Sequence, residues 1–297
     1  MKSMKKFTVI FIVAACVAAL CACSLWFSAQ GLMVSHDTIT STKITSSFRV
    51  VQLSDLHDSE FGRNNERLVR KVRDQSPDLI LVTGDLVNSY EEDTGTAEVL
   101  LRELTGVAPV YVSMGNHEHE YAEQFGRDLT QRYQDAGAVV LEKEYVDLTI
   151  PEDSSSGALV RLGGISGYCL PEQFLATGEA AAEEVAFLKE FQDTDRFTIL
   201  MCHMPAAWLV SSGLDSWKID CVFSGHAHGG QIRFPLIGGL YAPDQGWFPG
   251  RECGIYHSEE SGSTMILSRG LGSSREMLPR FNNIPEIVVV DFLPADS

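Results

Sequence analysis

The sequence predicts an α/β protein of two packed mixed β-sheets flanked by helices, preceded by one N-terminal transmembrane helix. Three observations carry this expectation. Residues Phe7–Phe27 form an apolar run broken only by Thr8 and Ser24. From Phe48 to Gly137, short continuously apolar segments alternate with amphipathic helical ones, the pattern of parallel βαβ units. Beyond Gly137 strands follow one another across polar turns, which suits a second sheet packed on the first.

The N-terminal run is long enough to cross a bilayer. At 1.5 Å per residue a helix over Phe7–Phe27 measures roughly 31 Å, against a hydrocarbon core of about 30 Å. Lys2, Lys5 and Lys6 precede it, which keeps that end in the cytosol and sends residues from 28 onward outside the membrane. An uncleaved signal-anchor is the leading reading of residues 1–27. A cleaved signal peptide and a lipoprotein signal are the alternatives, because Leu20-Cys-Ala-Cys23 resembles a bacterial lipobox that would lipidate Cys23. Against lipidation, Leu25-Trp-Phe27 carries the apolar run past the cysteine, as an anchor ending in an interfacial Trp does.

Residues 28–47 read as a short linker and an edge strand, with Ile39 and Ile44 among β-branched neighbours. Phe48–Ser54 is the first firm strand. Asn64–Gln75 is a helix with Leu68 and Val72 four apart, Asp78–Thr83 a strand buried on both faces, and Thr96–Leu104 a helix with Asp93 or Thr94 to cap it. Pro109–Met114 is a strand and Glu120–Ala136 a helix that Gly137 ends. Tyr145–Ile150 and Ala158–Ile165 form a hairpin with a polar tip, and Glu179–Phe191 is helical. Phe197–Cys202, Ile219–Phe223, Thr264–Ser268 and Glu286–Phe292 complete the strands.

Charge and cysteine content exclude some functions. The 23 basic and 40 acidic residues give −17, and since all three charges before residue 28 are positive, the remainder carries −20. A phosphate backbone is bound by clustered Lys and Arg, so no nucleic-acid partner is expected. Seven cysteines include no Cys-x-x-Cys pair for zinc or redox chemistry. Cys202 and Cys221 lie in apolar runs and read as buried free thiols, and the pairing of Cys169 and Cys253 stays open.

One event recurs five times along the chain. An apolar strand ends and metal-ligand residue types follow: Asp55/His57, Asp85, Asn116/His117, His203, and His226/His228. Five of the eight histidines fall at these ends. On an extended segment, residues i and i+2 point to the same side, so each of the pairs Asp55/His57 and His226/His228 can reach one centre. Carboxylate, imidazole and amide make a mixed shell suited to Mn, Fe or Zn rather than Ca or Mg. Gly84, Gly115 and Gly225 each precede a candidate ligand and let the backbone approach closely.

These blocks carry a resemblance. Asp55-x-His57, Gly84-Asp85, Gly115-Asn-His-Glu118, His203 and Gly225-His-x-His228 resemble, in order, the five signature blocks of the calcineurin-like metallophosphoesterases. The longer blocks Ser54–His57, Thr83–Leu86 and Gly225–Gln231, with Ser268–Gly272 and Pro285–Ile287, are similar to the membrane-anchored branch that includes bacterial UDP-2,3-diacylglucosamine hydrolases. The similarity runs from Phe48 to the end, and it implies the metallophosphoesterase α/β sandwich over a catalytic domain of residues 48–297. It also implies two divalent ions, one on Asp55, His57 and His228, the other on Asn116, His203 and His226, with Asp85 bridging. His117 would be no ligand, but the group that stabilises or protonates the leaving oxygen. Glu118 and Ala227 occupy positions that the family varies. Two cations about 3.5–4 Å apart can generate hydroxide near neutral pH and clamp a phosphoryl group for in-line displacement. A soluble-nucleotide phosphodiesterase or phosphatase and a non-catalytic metal scaffold are the competing readings, the last opposed by the intact ligand set.

The segment after the last block, Ile232–Tyr241 and Gln245–Pro249, is unusually apolar for one so rich in Gly and Pro. Folded onto the core it would be ordinary. Beside a phosphate site it suits an acyl chain or a lipid surface, which makes a lipid-linked phosphate or pyrophosphate the expected substrate. The acidic domain would repel a polyanionic substrate more than a lipid with one or two phosphates.

Overall fold

The apolar runs of the N-terminal half form the centre of a six-stranded sheet. β2 (Phe48–Leu53), β3 (Leu79–Thr83), β4 (Val110–Ser113) and β5 (Val139–Val140) are parallel neighbours. The C-terminal strand β16 (Glu286–Pro294) lies antiparallel to β2, and β1 (Met33–Ser41) completes the edge parallel to β16. In a second six-stranded sheet β7 (Ala158–Ile165), β8 (Phe197–Cys202), β9 (Cys221–Ser224) and β15 (Thr264–Leu267) are parallel. The antiparallel strands β6 (Glu144–Ile150) and β14 (Gly254–His257) are its edges. The structure, a computed structural model, describes residues 2–151, 156–165, 182–210, 213–274 and 277–295. The tip of the β6–β7 turn, the start of the expected helix at 179 and Cys169 lie outside the described residues.

The two sheets pack face to face. Val50, Leu81 and Val290 of the first meet Leu162, Ile199 and Phe223 of the second in one apolar layer. The outer face of the first sheet is covered by α2 (Glu66–Arg73), α3 (Gly95–Thr105) and their neighbours, through Leu68, Leu100 and Leu104. The helix Ala182–Phe191 covers the second through Leu188 and Phe191. A strand buried on both faces has no polar side to show, which explains why all of β3 reads as apolar up to Thr83. Cys202 and Cys221 are buried, as expected.

The N-terminal helix α1 spans Lys2–Gln30, three residues past the expected end. The stretch Lys6–Gln30, which contains an 18-residue window of mean hydropathy 2.6, is long and apolar enough to cross a membrane, and its large apolar side chains from Phe7 to Phe27 are exposed. The expected helix Glu120–Ala136 is two helices, α4 (Asn116–Phe125) and α5 (Thr130–Asp135). Gly126, at φ 64°, ends the first, and Asp128 Oδ1 accepts the Thr130 N–H to start the second. The apolar spacing continues across this break, so periodicity alone joins the two.

Candidate metal centre

The carboxyl ends of five parallel strands meet at one edge of the sandwich. Asp55 follows β2, Asp85 follows β3, Asn116 follows β4, His203 follows β8 and His226 follows β9. Below them Gln52 ties both sheets together, its Nε2 donating to Thr83 Oγ1 at 2.9 Å and to the Ser224 carbonyl at 2.8 Å. The Asp55 N–H donates to Gly84 O at 3.0 Å and the His57 N–H to Asp85 O at 3.1 Å, so the first two loops are laced together. Gly115 approaches the Asp85 carboxylate so closely that a Cβ would collide with Oδ1.

Six of the expected ligands fall into two adjacent clusters, Asp55–His57–His228 and Asp85–His203–His226. Asp85 lies between them, its Oδ2 3.7 Å from His57 Nε2 and 3.0 Å from His203 Nε2. The geometric reason differs from the one the spacing suggested. The segments are not extended: Asp55, His57, Asp85, His226 and His228 all have φ between 46° and 66°. Left-handed backbone at five non-glycine positions is costly, and such strain gathers where a site demands it.

Hydrogen bonding orients the donors. His203 Nδ1 lies 2.6 Å from the Thr83 carbonyl, which makes Nδ1 the donor and leaves Nε2 to face Asp85. Asn116 Nδ2 donates to Glu120 Oε1 at 3.2 Å, which points Oδ1 inward. Asp55 Oδ2, both ring nitrogens of His57, Asn116 Oδ1 and His228 Nδ1 are buried without a hydrogen-bond partner. Orphaned polar atoms are expensive inside a protein, and their gathering on the residues of one centre fits a pair of divalent cations.

The charges fit as well. Burial holds His57 down to about 3 and His228 well below its ordinary value, so both rings present neutral lone pairs. Burial also disfavours charge on His203, yet the Asp85 carboxylate beside it raises it to about 10. Burial likewise pushes against ionisation of Asp85, but His203 holds it well below the carboxylate range, while Asp55 is raised by burial. Without metal, the proton of the centre rests on His203, paired with Asp85.

His117 adjoins this set without sharing its bonding. Its ring centroid is 4.7 Å from that of His57, and it converges with His57 and Asp85. The Ser89 N–H donates to Nδ1 at 3.1 Å, which assigns the ring proton of the neutral form to Nε2. A cavity of about 450 Å³ opens over the centre. Asp85, Asn116, His117, His226 and His228 line it together with Tyr241, Pro243, Trp247, Met277 and Leu278.

Two working residues escaped the sequence reading. Glu118 is buried, and its carboxylate accepts the N–H groups of Gly115, Asp85 and Leu86 within 2.7–2.8 Å. Its place three residues after Gly115, at the start of α4, is the spacing of a capping box, which could have revealed it. Asp244 Oδ2 lies 3.0 Å from His226 Nε2. That bond to His226 lowers the Asp244 carboxyl, and nothing in the local sequence announces the pairing.

Residues 48–230 match the family model described as calcineurin-like phosphoesterase. The chain belongs to this family. The family is one of metal-dependent phosphoric ester hydrolases with dinuclear divalent centres. The chain is 29% identical over 261 residues to the uncharacterized metallophosphoesterase YkuE of Bacillus subtilis, covering 82% of this chain and 78% of that one. It is 25% identical to the UDP-2,3-diacylglucosamine pyrophosphatase LpxG of Chlamydia muridarum, over 82% of each chain. It is also 25% identical to the phosphodiesterase YaeI of Escherichia coli, over 90% and 89%. The chain spans 46% of the length of an uncharacterized metallophosphoesterase of Campylobacter jejuni, with 28% identity. Among solved structures, a dimetal phosphatase from Danio rerio aligns over 75% of this chain and 87% of its own, with a TM-score of 0.43 and 14% identity.

Proposed function

We propose that the chain is a membrane-tethered phosphoesterase that hydrolyses a phosphoester or pyrophosphate bond of a lipid-linked substrate outside the cytoplasmic membrane. The observation that carries the reading is the set of candidate ligand residues gathered from five strand ends beneath a half-apolar cavity, several of their polar atoms buried without partners. Asp55, His57 and His228 would hold one divalent ion, Asn116, His203 and His226 the other, and Asp85 both. The mixed N/O donor set suits Mn, Fe or Zn. Such a pair supplies Lewis-acid charge stabilisation at the phosphoryl oxygens and a water acidic enough to react near neutral pH.

The chain's own residues do the rest. Asp85 fixes the two halves of the centre relative to each other, being held through its backbone by Glu118 and through Oδ1 by the His117 N–H at 2.9 Å. His117, with Nδ1 occupied by Ser89, presents Nε2–H to the leaving oxygen and stabilises its developing charge through that hydrogen bond. Asp244 keeps the His226 ring oriented. The apolar wall of Tyr241, Trp247, Met277 and Leu278 excludes water from one side and suits an acyl or prenyl chain. The pyrophosphatase activity named for LpxG and the phosphodiesterase activity named for YaeI support the bond class. The lysines in the first turns of α1 and the length of that helix support the tether and the outward orientation.

The test is Asp85→Asn in the full chain. Release of nitrophenol from mono- and bis-nitrophenyl phosphate with added Mn should be abolished, and elemental analysis should find less bound metal. An active variant holding two ions per chain would refute the bridging role.

A further inference from the structure

Among the described residues beyond α1, ten large apolar side chains are exposed, and six of them are Phe234, Leu236, Ile237, Trp247, Phe248 and Leu278, of which Trp247 and Leu278 line the cavity. Four consecutive residues, Phe234 to Ile237, are all exposed at the tip of a hairpin formed by β10 (Arg233–Phe234) and β11 (Gly238–Gly239). Its base is rigid. Arg233 Nη1 donates to Gly229 O at 2.7 Å, and Glu252 Oε1 accepts the Gly239 N–H at 2.8 Å. A bare apolar tip on a fixed base, beside a site, marks a surface that something covers.

The structure points to what covers it. The Arg233 N–H donates to Phe281 O at 3.0 Å, and Asn282 Nδ2 donates to Arg233 O at 3.1 Å. The N–H of the same Asn282 donates to Ser24 Oγ of α1 at 3.0 Å. One residue thus separates the hairpin base from the apolar helix. Asn283 N–H to Ser28 Oγ (3.1 Å) and Arg67 Nη2 to Gln30 O (2.9 Å) fix the helix end at two more points. Ser24 lies one turn inside the apolar run that ends at Phe27, so the hairpin leaves the domain level with the boundary between hydrocarbon and headgroups.

We infer that the Phe234–Ile237 tip is a second membrane contact, dipping into the bilayer beside α1 and seating the cavity mouth on the lipid surface. This rests on the membrane-tether reading of α1. Aliphatic and aromatic side chains without acidic neighbours on the tip suit that environment. With α1 docked by three hydrogen bonds, the hairpin contact fixes the tilt of the domain, and a phosphate at headgroup depth meets the centre with its acyl chains still in lipid.

The test is site-specific photo-crosslinking of the full chain in proteoliposomes of phosphatidylethanolamine and phosphatidylglycerol. Separate variants carry benzoylphenylalanine in place of Leu236, of Phe11 in α1, and of Leu159, which is exposed on β7. Lipid adducts should form at positions 236 and 11 and stay at background at 159. Adduct formation at 11 but only background at 236 would overturn the hairpin contact alone. Chain-to-chain adducts at 236 would overturn it in favour of a second copy. Absence of lipid adducts at 11 would overturn the tether and, with it, this inference.

Discussion

Glu118 grips Asp85 by its backbone: Oε2 accepts the Asp85 N–H at 2.8 Å, while Oε1 accepts that of Leu86 at 2.7 Å. Oε2 also accepts the Gly115 N–H at 2.8 Å, so one buried carboxylate joins the β3 and β4 loops. Its ring of donors ends with the Tyr133 hydroxyl at 3.2 Å. Truncation to Glu118→Ala would leave three buried N–H groups unsatisfied, each costing about 1–3 kcal/mol. The variant should lose thermal stability and bind less metal than its parent. Calorimetry and elemental analysis measure both, and a fully metallated variant of unchanged midpoint would remove Glu118 from this role.

The site was legible in the sequence where chain position and residue type coincide. Leu79–Thr83 is apolar because both of its faces are covered, and a polar residue just past such a strand is already at the sheet edge where ligands collect. Backbone geometry was not legible. The pairs Asp55/His57 and His226/His228 converge through left-handed φ values that spacing does not encode. Asp244 was hidden for a different reason. It reaches His226 from 18 residues downstream, through a loop whose path depends on two-residue strands with no periodicity to read. Gly126 divided a helix because its αL conformation outweighs continued apolar spacing.

His117→Ala separates stabilisation of the leaving oxygen from metal binding. With Nδ1 accepting from Ser89, His117 has one nitrogen left for the substrate. Loss of such a donor costs about 10²–10⁴-fold in rate. Metal content should stay at the parent level, and the loss should be smallest for nitrophenyl esters, whose leaving group needs no proton. A variant as poor in metal as Asp85→Asn would make His117 a ligand.

The histidines set a pH dependence of stability. His57 is held at about 3 by burial, against an unfolded value near 6.5, so below that value the unfolded chain binds a proton the folded chain refuses. Stability should therefore fall as pH drops from about 6.5 towards 3 in chelator-treated protein. Asp55, raised by burial, opposes this trend over its own range, so the His57 share is read by difference. His57→Gln should flatten the decline of the thermal midpoint, and an unchanged slope would contradict the assignment. His203, at about 10 beside Asp85, has the reverse sign: it must lose a proton to present Nε2 to an ion. Metal binding near neutral pH should release protons, measurable by titration calorimetry in buffers of different ionisation enthalpy.

The cavity's apolar wall tests the substrate. Trp247 and Phe248 are 64% and 60% exposed, so this part of the loop is not folded back onto the core. Trp247 packs edge-on against Tyr241, ring centroids 5.4 Å apart, and lines the cavity with it. Replacing exposed side chains costs little in folding, within about 0.5 kcal/mol for a typical surface position. Replacing the apolar lining of a pocket costs what its ligand buries there, about 25 cal/mol for each Å² of apolar surface. Trp247→Ser with Phe248→Ser should therefore impair hydrolysis of a lipid-linked pyrophosphate in vesicles strongly, while turnover of a small nitrophenyl ester changes little. The comparison is internal, because both substrates meet the same Asp85, His117 and histidine set. Equal losses on both, with the thermal midpoint unmoved, would mean that the loop shapes the centre itself and that no acyl chain is read there.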